Sequence, residues 1–116
     1  MKIAISTDGK DLESSTSTRF GRCSFFIFVD TDTMDFSALA NPAKQASGGA
    51  GIQAAQFVMD NGAQVILTEK VGPNALRVLE QANIHIFICH NGKVNQAVKM
   101  FIDEELESYD TKNRRK

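Results

Sequence analysis

The chain has 116 residues, of which 42% are apolar and 23% charged, and its formal net charge is -1. This length suits one compact domain, and neither the charge nor any apolar run points to nucleic acid or a membrane as a partner. Two cysteines, Cys23 and Cys89, are too few for a disulfide framework and lack the CxxC spacing of a zinc site. Residues 1–8 are typical of a strand and not of a signal peptide, so we expect a cytoplasmic protein.

The pattern of apolar residues predicts five strands and three helices in the order β, ββ, α, β, α, β, α. Strands are indicated by short alternating or continuous apolar runs, and helices by apolar residues at helical spacing. Pro42 ends the third strand, because proline cannot donate to a ladder. Pro73 suits the first turn of the second helix, where its missing N–H has no cost. The predicted strands cover residues 2–7, 25–30, 35–40, 64–68 and 85–89, and the helices follow Gly51, Gly72 and Gly92.

This order of elements predicts a three-layer α/β/α fold. Strand–helix–strand units require parallel strands joined by right-handed crossovers. We therefore expect a mixed five-stranded sheet of order 3-2-1-4-5, with the second strand antiparallel and helices on both faces. A single domain is predicted over residues 1–108, and the charged residues 109–116 are predicted to form a flexible tail.

A glycine-rich stretch, residues 47–56, leads directly into the first helix. Glycine permits positive φ and close backbone approach, and the N–H groups of a first helical turn form a small anion site. By itself this stretch is more typical of a turn than of a site. The predicted topology, however, places it at the same sheet edge as the start of the second helix and a loop with two arginines, beside a switch in strand direction. The sequence therefore predicts an anion-binding crevice formed by Arg19, Gly21, Arg22, Gly49, Ala50, Gly51, Gly72 and Asn74.

The residues give little support to an enzyme. A metal-dependent nuclease needs converging carboxylates, and only Asp8 and Glu69 are expected at the relevant edge. Cys23 and His90 could lie near one another, but no third group is available to orient a nucleophile and its base. The glycine stretch has neither the spacing of a Walker A motif nor that of a dinucleotide fingerprint. We therefore predict a protein without catalytic activity.

The sequence does not decide whether Cys23 and His90 have a structural role or a metal-binding role. Cys23 follows Arg22 at the start of a strand, where partial exposure and the neighbouring cation would favour the thiolate that ligates metal. A lone cysteine is, however, more often a small core residue, as we expect for Cys89. His90 is either a surface residue at a strand end or a ligand. Thiolate and imidazole together suit iron–sulfur or heterometal clusters.

Four motifs follow one another along the chain, namely Lys2-Ile3-Ala4 with Ser6-Thr7-Asp8-Gly9, Arg19-Phe20-Gly21-Arg22-Cys23, Gly49-Ala50-Gly51-Ile52-Gln53-Ala54-Ala55 and Val71-Gly72-Pro73-Asn74-Ala75. In their order and spacing they resemble the dinitrogenase iron–molybdenum cofactor biosynthesis family, over about residues 1–106. The resemblance implies a ribonuclease H-like α/β/α fold. It also implies a role in metallocluster handling, because family members of the nitrogenase pathway bind the iron–molybdenum cofactor or its iron–sulfur precursor and pass it between proteins, and stand-alone relatives occur outside nitrogen fixation. Glu69-Lys70 departs from the smaller Gly-Asn often found there and is expected to place two opposite charges beside the crevice.

The resemblance implies a non-catalytic carrier of an anionic metal–sulfur cluster. The cluster is expected to be the iron–molybdenum cofactor, its precursor or a related iron–sulfur cluster, with Cys23 and His90 as candidate metal ligands. Metallocluster-assembly or nitrogenase-like proteins are the expected partners. Two alternatives stay open, namely a module that binds a small anionic metabolite or phosphate without metal, and a protein-interaction module of metallocluster assembly.

Overall fold

The computed structural model describes residues 1–90 and 92–109. Within these residues the chain forms one mixed sheet and three helices, in the predicted order and followed by one further strand. The elements are β1 (Lys2–Thr7), β2 (Phe25–Asp30), β3 (Phe36–Ala40), α1 (Ala50–Asp60), β4 (Val65–Thr68), α2 (Pro73–Gln81), β5 (His85–Ile88), α3 (Val94–Ile102) and β6 (Glu107–Ser108).

The sheet has the order β3-β2-β1-β4-β5-β6, so the predicted order of the first five strands is confirmed. β1 lies at the centre, antiparallel to β2 and parallel to β4. The prediction of five strands was wrong by one, because β6 adds antiparallel to β5 at the edge. A strand of two residues, Glu107 and Ser108, is too short to show any alternation of apolar and polar positions.

Helices cover both faces of the sheet, which confirms the three-layer architecture. On one face α1 and α2 pack against a core that includes Ala4, Phe26 and Ile66. On the other face α3 packs against Ile3 and Ile5, as the alternation of side chains along β1 requires. No helix of the described residues is long and apolar enough to cross a bilayer.

The C-terminal segment is anchored at least as far as Tyr109. Its ring packs against the core under α1 and α2, and its hydroxyl donates a hydrogen bond to the Val71 carbonyl at 3.2 Å. The predicted tail, 109–116, otherwise lies outside the described residues. Tyr109 thus belongs with the packed part of the chain.

Candidate functional site

A crevice of about 410 Å³ lies at the carboxyl ends of β1 and β4, where the chain changes direction across the sheet. Ligands of open α/β sheets favour this position. The loop between β1 and β2, the start of α1 and the start of α2 form its walls. It is lined by Arg19, Phe20, Gly21, Arg22, Gly49, Ala50, Gly51, Ile52, Lys70, Gly72, Pro73, Asn74 and Ala75.

The loop wall, residues 19–23, is fixed by burial at two points. The side chains of Phe20 and Cys23 are each only 1% exposed, and the Phe20 ring lies 5.3 Å from that of Phe26 in the core. Burial of these side chains leaves the intervening Gly21 and Arg22 at the crevice. Apolar packing therefore positions the polar part of the loop.

Hydrogen bonds fix the same loop on three further sides. Its backbone pairs with Lys70, whose carbonyl accepts from the Phe20 N–H at 3.1 Å. The Asn41 amide donates to the carbonyls of Gly21 and Cys23 at 3.1 and 3.0 Å. The Arg22 guanidinium donates through Nη1 to two carbonyls of the following segment, those of Lys44 and Ala46. The loop is thus held by the rest of the fold before any ligand arrives.

The three walls of the crevice lie in close contact because glycines, which have no side chain, stand where the walls meet. A Cβ on Gly21 would lie 3.0 Å from both the backbone nitrogen and the Cα of Gly51, so only glycine fits there without a backbone shift. A Cβ on Gly51 would in turn meet the Ala75 side chain of α2 at 3.2 Å. Gly49 begins α1 with φ of 68°, in the left-handed region that favours glycine. These contacts explain why glycines are concentrated at this point of the chain.

The electrostatics of the crevice favour an anion. Among the described residues its lining includes Arg19, Arg22 and Lys70, which carry cationic side chains, and no carboxylate. Neither α1 nor α2 has a side chain that caps its N-terminus, and neither carries an acidic residue in its first turn. The positive ends of two helix dipoles therefore meet three cations in one concavity.

All eight residues predicted to form the anion crevice line it. The ligand role assigned to them stays a prediction. Five lining residues were not among the predicted site residues, namely Phe20, Ile52, Lys70, Pro73 and Ala75. The loop anchor Asn41, which does not line the crevice, was not predicted either. The position of Lys70 directly after β4 was the sequence signal for it. Successive side chains of an extended segment point in opposite directions, so Lys70 and Glu69 could be expected on different sides.

Glu69 and Lys70, expected together beside the crevice, are separated in the structure. Lys70 lines the crevice, whereas the Glu69 carboxylate lies 3.7 Å from Nδ1 of His90. His90 is 74% exposed and lines a second pocket of about 320 Å³ at the end of β5, which we call the His90 pocket. The structure thus places this predicted metal ligand outside the crevice.

Of the two interpretations left open for Cys23, the structure agrees with the core residue and not with the partly exposed thiol. Its Sγ donates to the Phe20 carbonyl at 3.4 Å, and burial raises the pKa of the thiol to about 12. The Arg22 guanidinium is directed to the Lys44 and Ala46 carbonyls. Cys89 is buried as predicted, and burial together with the Glu69 charge raises its pKa to about 12. Both thiols are therefore protonated at neutral pH.

The described residues offer no ready-made metal centre. Across residues 1–90 and 92–109, no three His, Cys, Asp or Glu side chains converge to hold a metal ion. Asp8 is exposed, and the two carboxylates considered for a nuclease form no such group.

Comparisons with known proteins show the family and agree with the fold. The family model described as dinitrogenase iron-molybdenum cofactor matches residues 1–104. The apo form of the orange protein from Desulfovibrio gigas is similar, with 37% identity, a TM-score of 0.89, and coverage of 92% of this chain and 91% of that chain. A NifB-like protein from Thermotoga has 31% identity and a TM-score of 0.81, with the same coverage. An uncharacterized protein of Methanocaldococcus jannaschii is 26% identical over 95% of this chain and 92% of its own length.

Proposed function

The chain belongs to the dinitrogenase iron-molybdenum cofactor family, and on this premise we propose that it is a non-catalytic carrier of an anionic metal–sulfur cluster. The cargo is the iron–molybdenum cofactor, its precursor or a related cluster. The crevice at the ends of β1 and β4 is the proposed binding site. Metallocluster-assembly or nitrogenase-like proteins are the proposed partners that load and receive the cargo.

The observation that carries this proposal is the charge of the crevice. Three cationic side chains and two uncapped helix N-termini surround about 410 Å³, and no carboxylate lines this space within residues 1–90 and 92–109. That volume is within the range of about 300–1,000 Å³ typical of small-ligand pockets. Charge-assisted hydrogen bonds from Arg19 and the backbone N–H groups would compensate the charge of the cluster.

Protein thiolates have no part in this proposed binding mode. Cys23 is buried behind the loop wall and Cys89 lies under the His90 pocket, and both are protonated at neutral pH. The cluster would retain its own sulfur ligands and be held as a complete anion. Such binding suits a carrier, because release then requires no metal–protein bond to break.

Anaerobic titration with isolated iron–molybdenum cofactor, followed by absorbance and by metal content after gel filtration, tests the proposal. We expect Arg19→Gln to weaken binding by about tenfold, which corresponds to about 1.4 kcal/mol. Arg77→Gln, an exposed arginine on α2 outside the crevice, is the matched control and should bind as the wild type does. We also expect Cys23→Ala and His90→Gln to bind within about twofold of the wild type.

Two outcomes would contradict the proposal. Equal loss in Arg19→Gln and Arg77→Gln would show that only the overall charge matters. Loss confined to Cys23→Ala or His90→Gln would restore the ligand roles predicted from the sequence. A parallel titration with inorganic phosphate addresses the alternative of a metal-free anion module, since that module would bind phosphate at the Arg19 crevice and reject the cluster.

A further inference from the structure

The sheet ends in two very different edges. At one edge β6 has only two residues and carries Glu107, and shortness and charge both discourage further pairing. At the other edge β3 has five residues, Phe36–Ala40, with no charge and no proline. Phe36 and Leu39 on this strand are 44% and 37% exposed. An open apolar edge of this kind invites pairing with another strand.

The backbone groups on the free side of β3 can be assigned from its pairing with β2. The Asn41 N–H donates to the Ser24 carbonyl, and the Asp30 N–H donates to the Asp35 carbonyl, each at 3.0 Å. Antiparallel pairing alternates, so Ser37 and Leu39 also direct their backbone groups toward β2. The N–H and C=O groups on the opposite side therefore belong to Phe36, Ala38 and Ala40. Among the described residues no strand pairs with that side.

We propose that this edge binds the same edge of a second copy of the chain, antiparallel and with a two-fold axis at Ala38. The side chains of β3 are self-complementary in this register. Phe36 would lie opposite Ala40, and Leu39 opposite Ser37, so each large side chain meets a small one. Beyond the strand, Asp35 would lie opposite Asn41, so no like charges face each other across the axis.

The free backbone groups also match this register. The Ala38 pair at the axis and the two Phe36–Ala40 pairs beside it are the positions whose N–H and C=O groups point outward. About six backbone hydrogen bonds would form, two for each pair. The two sheets would then be continuous, and the dimer would have the isologous two-fold symmetry that is commonest among oligomers.

One strand pair buries less area than the roughly 1,200–2,000 Å² of stable complexes. We therefore expect a dimer that forms and dissociates with protein concentration. Sedimentation velocity from about 10 μM to about 1 mM is a suitable measurement, because weak interfaces populate over this range. Amide hydrogen exchange at Phe36, Ala38 and Ala40 should slow as the concentration rises.

Two substitutions target the edge without removing the β2–β3 hydrogen bonds. Phe36→Lys would place a lysine on each copy beside the axis, and Ala40→Pro would remove an outward N–H where proline is tolerated on an edge strand. Both variants should stay monomeric at the highest concentration. Ile102→Lys, which replaces a 49%-exposed side chain on α3, is the matched control and should dimerise as the wild type does.

A double variant tests the register directly. Phe36→Lys combined with Ala40→Glu would place opposite charges facing each other at both ends of the interface, and dimerisation should return. Circular dichroism and unfolding midpoints establish that every variant is folded. A wild type that is monomeric throughout would overturn the proposal, as would a dimer that persists in both single variants. If amide exchange in β3 slowed when an unrelated strand-forming peptide was added but not when the protein concentration was raised, the edge would bind a different partner. That result would also overturn the proposed dimer.

Discussion

Two pockets open at the carboxyl ends of the parallel strands, and they differ in how their charges are arranged. The crevice beside β1 and β4 has three cations and no carboxylate in its lining, as far as the structure describes the chain. The His90 pocket, at the end of β5, mixes His90 and Lys93 with Glu105 and Glu107. Both positions are at the same edge of the same sheet. The difference shows that strand topology provides the concavity, whereas the residues that follow each strand decide which charge it suits.

The two pockets also differ in what builds them. The crevice walls are backbone segments brought into contact by Gly21 and Gly51, with two helix N-termini directed at the same space. The His90 pocket is bounded mainly by side chains of α3 and of the segment before β6. A wall made of backbone adjusts less to a substitution than a wall made of side chains. We therefore expect a substitution at the crevice to reduce stability and anion binding more than a similar substitution at the His90 pocket.

The largest expected difference between the pockets is the loss of stability when one apolar side chain is truncated at each of them. Phe20→Ala should lower the free energy of unfolding by about 3–5 kcal/mol and abolish anion binding, because the loop wall loses its anchor. Leu106→Ala, at the half-buried lining of the His90 pocket, should cost less and leave anion binding unchanged. Chemical denaturation and anion titration measure both effects. Equal losses at the two sites would remove the distinction between them.

A smaller effect is expected when a methyl group is added between the crevice walls. Gly21→Ala should destabilise the protein by about 1–3 kcal/mol, since its Cβ would meet the backbone of Gly51. Gly48→Ala is the matched control, because an added Cβ there has no atom within 4 Å. Thermal unfolding of the two variants provides the measurement. The close approach of the walls would be refuted by a Gly21→Ala protein as stable as the Gly48→Ala protein.

Charge reversal should distinguish the pockets by about tenfold in affinity. Lys70→Glu introduces a carboxylate into the crevice and should weaken anion binding by at least that factor, or about 1.4 kcal/mol. Lys93→Glu makes the same change in net charge at the His90 pocket and should leave the affinity unchanged. Titrations at low and moderate salt would separate local contacts from long-range attraction. Similar losses in both variants would mean that the anion senses only net charge.

The smallest expected effect concerns a property that the two pockets share, a buried thiol. Burial raises the pKa of both Cys23 and Cys89 from 9.0 to about 12, so the native state keeps protons that the unfolded state releases. The free energy of unfolding should therefore fall as pH rises from about 9 toward 12, by roughly 1 kcal/mol per thiol at pH 10. Urea denaturation across this range, with Cys23→Ala and Cys89→Ala for comparison, measures the slope. A wild-type slope matching that of both variants would contradict the assignment.

Much of the fold could be predicted because its signals are local in the sequence. Continuous apolar runs indicate buried strands, and glycines mark the turns and the starts of helices. The runs in β2 and β4 identified buried strands, and Gly72-Pro73 located the start of α2. The eight crevice residues followed from the strand order, since parallel strands direct the segments after them to one edge. The sequence could not show which way single side chains turn. Glu69 and Lys70 are adjacent in the chain, yet Lys70 lines the crevice whereas the Glu69 carboxylate faces His90.

The sequence could not decide between the two interpretations of Cys23. Its polar neighbours, Arg22 and Ser24, left an exposed thiol open, but burial of Phe20 three residues earlier draws Cys23 into the same core. That pairing depends on the path of the loop, which no periodicity reveals. The strand β6 was not predicted, for a related reason. Residues 107–108 form a strand because they lie beside β5, and their own sequence has no strand pattern.

The contact between Gly21 and Gly51 has one more consequence, for selectivity. Where a binding site is bounded by side chains, rotamer changes allow it to accept ligands of several sizes. Here the separation of two walls is set by backbone atoms that already touch, so it cannot grow by rotation about a side-chain bond. We therefore expect the crevice to select among anions by their size as well as by their charge.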